Sequence, residues 1–209
     1  MKTVNADESA DVRETILATG QRLMAGKGYS AVGLTEILAQ AGVPKGSFYH
    51  YFGSKDAFGE AVLDNYFVDY LAGIDVALRQ PGITMAERVI RFFQDWQQNQ
   101  ASFDCQGKCL AVKMAAEVAD MSEPMRLAIQ RGNAGIVSRL ASALEHGAAE
   151  GSLHFDGNAD TTAHSLYQLW LGASVMVKIE RNTKPFDIAM ATTYRLLHLI
   201  GQVGSERHE

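Results

Sequence analysis

The chain has 209 residues, of which 47% are hydrophobic and 21% charged, and only four are prolines. A chain of this size buries a core without staples, and scarce proline favours long helices. A formal net charge of −5 argues against wholesale coating of nucleic acid, and two cysteines are too few for a disulfide scaffold.

The charge is unevenly placed. Between Val12 and Phe58 the basic residues Arg13, Arg22, Lys27, Lys45 and Lys55 outnumber the acidic Glu14, Glu36 and Asp56. This stretch is mildly basic within an acidic protein.

Residues 1–11 are polar and acidic with no apolar run, so a disordered tail is expected there and no signal peptide. Helical periodicity from Val12 predicts a first helix to Ala25. Val12, Ile16, Leu23 and Met24 form its stripe, and Gly26 and Gly28 end it. A second helix opens at Leu34-Thr35-Glu36 with Thr35 as N-cap, buries Ile37, Leu38 and Ala41, and stops at Gly42. Val43-Pro44 turns into a short third helix, Lys45 to Tyr51, because proline costs little at a helix start. A fourth helix begins near Ser54 and runs to about Leu78, closed by Pro81-Gly82. Further helices are predicted at about 84–100, 108–118, 123–150, 159–181 and 186–203, with no convincing strand or internal repeat. The expected architecture is all-α, about nine helices: a tail (1–11), a three-helix unit (12–58) and a larger helical domain (59–209).

Leu34 to Tyr51 carries the most specific signal. Two short helices joined by a glycine-containing turn form a helix-turn-helix, which also occurs in bundles that merely pack. The residue types decide. A recognition helix presents small or polar side chains to the major groove, as Lys45, Gly46, Ser47, Tyr49 and His50 would, while Phe48, Tyr51 and Phe52 anchor it. Thr35 and Lys55 stand at the starts of helices two and four, where free N–H groups favour phosphate.

The run Val43-Pro44-Lys45-Gly46-Ser47-Phe48-Tyr49-His50-Tyr51-Phe52, with Ala39, Ala41 and Gly42 before it and Ser54-Lys55 after, resembles the DNA-binding signature of the TetR family of repressors. The likeness covers residues 12–66, and the helical remainder agrees in length and layout. It implies an all-helical homodimer that reads a palindromic double-stranded operator, with a larger domain for dimerisation and a small-molecule inducer. The family's DNA contacts fall here on Thr35, Lys45, Gly46, Ser47, Tyr49, His50 and Lys55.

The second informative stretch is Cys105-Gln106-Gly107-Lys108-Cys109-Leu110-Ala111-Val112-Lys113. A thiol reacts as thiolate, and nearby cations and helix N-termini lower its pKa. Lys108 adjoins Cys109, and Lys113 follows at i+4. Lys178 interrupts the apolar run Val175 to Ile179 and could face a pocket. A cysteine beside Leu110 and Val112 is, on these residues alone, more often a small buried hydrophobe. Gly107 to Arg126, with Leu169 to Ala173 and Lys178, resembles a TetR subgroup that represses reductases of electrophiles such as N-ethylmaleimide and reactive aldehydes. That resemblance makes Cys109 the sensing thiol. At i,i+4 on a regular helix Cys105 and Cys109 lie slightly too far apart for a disulfide. Gly107 leaves the pairing open, as is an intersubunit bridge.

Phe92, Trp96, Phe103, Met114, Tyr167, Trp170 and Met176 are candidates to line an apolar ligand pocket, although at helical spacing such residues are usually core. The last two helices, with Gly172 and Ala173 permitting close approach, are expected to form the dimer's four-helix interface. His146, His154, His164 and His198 show no metal-ligand spacing, and no catalytic motif or phosphate loop is present. The expectation is a regulator rather than an enzyme, with no metal, cofactor or membrane span, in a reducing cytoplasm.

Overall fold

The computed structural model describes residues 6–100 and 110–199. Among them are nine α-helices and no strand: α1 (Ala6–Lys27), α2 (Leu34–Ala41), α3 (Lys45–Tyr51), α4 (Lys55–Leu78), α5 (Met85–Gln100), α6 (Leu110–Ala119), α7 (Glu123–Ala149), α8 (Ala159–Glu180) and α9 (Lys184–Leu196). The all-α architecture is the one expected from the periodicity.

Helices α1, α2 and α9 differ in their boundaries from that expectation. Helix α1 begins at Ala6, inside the stretch read as a tail. Helix α2 opens on Gly33, not Thr35: Gly33 is extended, and its carbonyl already accepts from the Glu36 and Ile37 amides. Helix α9 starts two residues early and ends at Leu196. Pro185 is tolerated in its first turn, and His198 leaves the helix with a φ of 50° while Leu197 and Leu199 are buried. Gly26 lies inside α1, which runs on to Lys27 before the left-handed Gly28. Gly42 closes α2 in the left-handed conformation, and its amide and that of Val43 both donate to Leu38 O.

The chain divides into two compact units, Met1–Asp69 with Asp104–Gly132, and Tyr70–Phe103 with Asn133–Glu209. The division falls within α4 and α7 and places α6 with the first three helices.

The second unit is built on stacked rings. Trp170 is fully buried, with Phe93 stacked at 4.7 Å and Phe186 at 5.7 Å. Its indole N–H donates to Thr193 Oγ1 (3.0 Å), which donates to Ala189 O (2.9 Å). Trp96 donates to Ser174 Oγ (2.9 Å), which donates to Trp170 O (2.7 Å). Each of these indole and hydroxyl protons has an acceptor, so α5, α8 and α9 bury these polar atoms without an unpaired donor. Nearby in the same unit, the Arg139 guanidinium bonds both oxygens of Asp75 (2.8 and 3.0 Å) and holds that carboxyl below its ordinary value.

Trp170→Ala removes the ring at the centre of this stack. It should cost about 3–5 kcal/mol of stability, read as a lower urea midpoint by circular dichroism.

Candidate nucleic-acid interface

Helix α3 is short and divided. Phe48 is fully buried, whereas Tyr49 is 52% exposed and Lys45, Gly46 and His50 lie at the surface. The buried side is aromatic: the Phe48 ring lies 5.3 Å from Phe52 and 5.2 Å from Phe58, and Phe52 lies 4.9 Å from Phe58. Phe58 is itself admitted by Gly20 on α1, where a Cβ would come within 2.3 Å of its ring tip. Helix α4 opens on Ser54, whose hydroxyl accepts from the Ala57 amide (3.0 Å). These contacts leave Lys45 to His50 displayed on a helix whose other face cannot rotate away.

The basic residues of the stretch are mostly engaged. Lys27 pairs with Glu36 at 2.5 Å, Arg22 donates to Gln40 Oε1 at 3.1 Å, and Arg13 lies over the Phe52 ring at 5.5 Å. Lys55 is half-buried; its amine donates to Tyr29 O (3.1 Å) and lies 4.3 Å from the Tyr29 ring centroid. Lys45 is exposed and places its amine 5.9 Å from the Tyr49 ring centroid. Thr35 is exposed in the first turn of α2, and Ser47 is half-buried on α3.

Tyr29, Asp56 and Glu117 carried no motif in the sequence, yet they meet here. The Tyr29 hydroxyl donates to Asp56 Oδ1 (2.6 Å), and Glu117 on α6 accepts from the backbone N–H of Tyr29 (3.0 Å) and of Ser30 (2.7 Å). Burial, then the bond to Asp56, pushes the Tyr29 phenol well above its ordinary value, so it stays protonated and donates. Burial by itself would raise the Glu117 carboxyl, but the Ser30 and Tyr29 hydrogen bonds and the Lys55 charge outweigh it. Its net shift is downward from the ordinary value of 4.5. The bond is therefore intact above that value and is lost as the pH falls through the lower folded-state value.

Two family profiles match the chain: "Bacterial regulatory proteins, tetR family" over residues 16–62 and "Tetracyclin repressor-like, C-terminal domain" over residues 86–193. The chain belongs to the TetR family. It is 39% identical over 188 residues to the HTH-type transcriptional repressor NemR of Escherichia coli (strain K12), spanning 90% of this chain and 94% of that protein. It is 31% identical to the HTH-type transcriptional repressor DhaR of Mycobacterium sp. (strain GP1), over 89% of this chain and 92% of that one. The crystal structure of the reduced form of E. coli NemR superposes with a TM-score of 0.85, covering 90% of this chain and 97% of that chain. The chain is thus a DNA-binding transcriptional repressor of the TetR family, similar to NemR, and its relatives are regulators rather than enzymes.

Cys105, Cys109 and Phe103 lie outside the described residues. Lys113 is half-buried on α6 in the first unit, and Lys178 is half-buried on α8 in the second. Phe92, Trp96, Tyr167 and Trp170 are buried, and Trp96 makes ring contacts with the other three. The Tyr167 hydroxyl donates to Asn133 Oδ1 (2.6 Å). Met114 is buried on α6, and Met176 is 41% exposed on α8. Among the described residues no cluster of His, Cys, Asp or Glu is arranged to hold a metal, and no helix is long and apolar enough to cross a membrane.

Gly20→Ala separates packing from propensity. Alanine gains about 1 kcal/mol as a helix former, but its Cβ would displace the buried Phe58 ring from Phe48 and Phe52. Overpacking costs about 1–3 kcal/mol, so the melting temperature should fall rather than rise.

Proposed function

We propose that this repressor reads a palindromic operator as a homodimer through Thr35, Lys45, Gly46, Ser47, Tyr49, His50 and Lys55, and that a reactive electrophile or oxidant at Cys109 releases it. The observation that carries the DNA reading is the exposed Lys45–His50 face of α3, backed by the buried Phe48. Lys45 to His50 are the groove-facing group. Thr35 and Lys55 are the phosphate-gripping pair, Lys55 also donating to Tyr29 O.

Homodimerisation is supported by α8. Gly172, Val175, Met176 and Ile179 recur at i, i+3, i+4 and i+7 and are all exposed in the single chain, Ile179 at 68%. On α9, Ile188 and Leu196 are exposed as well. An apolar stripe of this kind on two adjacent helices is what a two-fold four-helix interface buries.

For the thiol, the support is likeness and position. The similar NemR structure is of a reduced form, so that relative has a redox state. Cys109 immediately precedes Leu110, the first residue of α6, and helix N-termini stabilise thiolates. Lys113, four residues on from Cys109 in the sequence, is the cation proposed to act with it. Such a repressor acts where the DNA is, in a reducing cytoplasm.

Two experiments test this reading. An operator selected from random duplexes by the unaltered protein should be palindromic, and failure to enrich any sequence rejects operator reading. On that operator Lys45→Ala should lower the salt slope of binding by about 0.9 for each phosphate that the lysine neutralises, in fluorescence anisotropy. Cys109→Ser should bind the operator like the unaltered protein and fail to release it with N-ethylmaleimide or an aldehyde. Release from the serine variant overturns the Cys109 reading and leaves release by a reversibly bound apolar or aromatic ligand as the alternative.

A further inference from the structure

The turn between α1 and α2 is held from two sides. Gly28, with a φ of 88°, turns the chain so that the Tyr29 and Ser30 amides both reach the Glu117 carboxylate on α6. A Cβ at Gly28 would lie 2.9 Å from Glu117 Oε2, so the carboxylate sits directly against the turn. On its other side the turn is joined to the first turn of α4: Lys55 donates to Tyr29 O, and the Tyr29 hydroxyl donates to Asp56. Helix α4 follows α3 after three residues, Phe52 to Ser54. One turn thus links the helix before the reading pair, the helix after it, and α6.

We propose that Glu117 is a positioning residue for operator reading. It fixes the α1–α2 turn to α6 and, through Tyr29 with Lys55 and Asp56, fixes the register in which α2 and α3 meet the major groove. This rests on the reading that α3 contacts the operator. Glu117 itself touches no DNA.

Electrostatics makes the role separable from charge. Glu117 adds a negative charge to the DNA-reading unit, so by repulsion alone its removal tightens binding to any duplex. Loss of the tie has the opposite sign, and only for the operator. A carboxylate accepting two amides is among the stronger hydrogen-bonding arrangements, enough to bias a register by about tenfold or more.

The test uses the full-length variants Glu117→Gln and Glu117→Ala, an operator selected by the unaltered protein, and a scrambled duplex of the same length. Anisotropy titrations over a range of salt read both affinities. Operator affinity should fall about tenfold or more in Glu117→Ala, with an unchanged salt slope and with scrambled-duplex affinity unchanged or higher. Glu117→Gln, which keeps one acceptor oxygen, should lose less. Operator affinity unchanged or raised in both variants overturns the proposal. So does an equal loss on both duplexes, which is the mark of a folding defect rather than a shifted register. If the unaltered protein itself fails to prefer any duplex, the operator reading has failed, and that is seen before either variant is made.

Discussion

The reading surface depends on Phe48 being buried. A seven-residue helix is far too short to be stable alone. What keeps α3 helical is one ring, fully removed from water and packed against Phe52 and Phe58, and Phe58 in turn fits the space left on α1 by Gly20. Burying a phenylalanine contributes about 1.5–3 kcal/mol, a large share for an element this small. The exposed side can then be chosen for recognition alone. Gly46, which costs helix propensity, and the exposed Tyr49 and His50 are acceptable because stability comes from the opposite face.

Much of this is legible in the sequence, for identifiable reasons. Helices α2 and α3 can be placed almost to the residue because Gly42 permits the left-handed conformation that closes α2 and Pro44 fixes φ just before α3. The start of α1 escapes detection because Ala6 to Asp11 is polar and carries no apolar stripe, the signal that periodicity needs. The end of α9 is overrun for the converse reason: Leu197 and Leu199 are buried, so their pattern looks helical, but the chain turns at His198 to bury them. Thr35 has a good capping side chain and yet does not cap, since the extended Gly33 one residue before Leu34 already supplies the accepting carbonyl.

The tie from Glu117 to the Tyr29 turn is invisible in the sequence. Its partners are 88 and 87 residues away, and they are backbone amides, whose identity leaves no trace in side-chain chemistry. The one local hint is Gly28, which reads only as a helix end. It ends α1, but its left-handed conformation also exposes two successive amides, which is how a turn acquires a carboxylate partner. The grouping of α6 with the DNA-reading helices is equally hidden, since it rests on contacts between residues distant in sequence.

The charge count has to be read through these contacts. Five basic residues in the first stretch look like an electrostatic footprint, but Lys27, Arg22, Arg13 and Lys55 each have a partner within the unit. A cation already paired gains less from a phosphate, because it must first give up or share its partner. With a net charge of −5, the chain cannot depend on a broad positive field. On the proposed reading its affinity comes from a few local contacts at α3 and from helix starts such as α2, which opens on Gly33 with no side-chain cap. Few contacts per subunit make a second subunit valuable, since joining two weak readers raises the effective concentration of the second half-site. The exposed apolar stripe on α8 and the sparse basic face of α3 therefore point the same way: each is incomplete in one chain, and a two-fold pair would complete both.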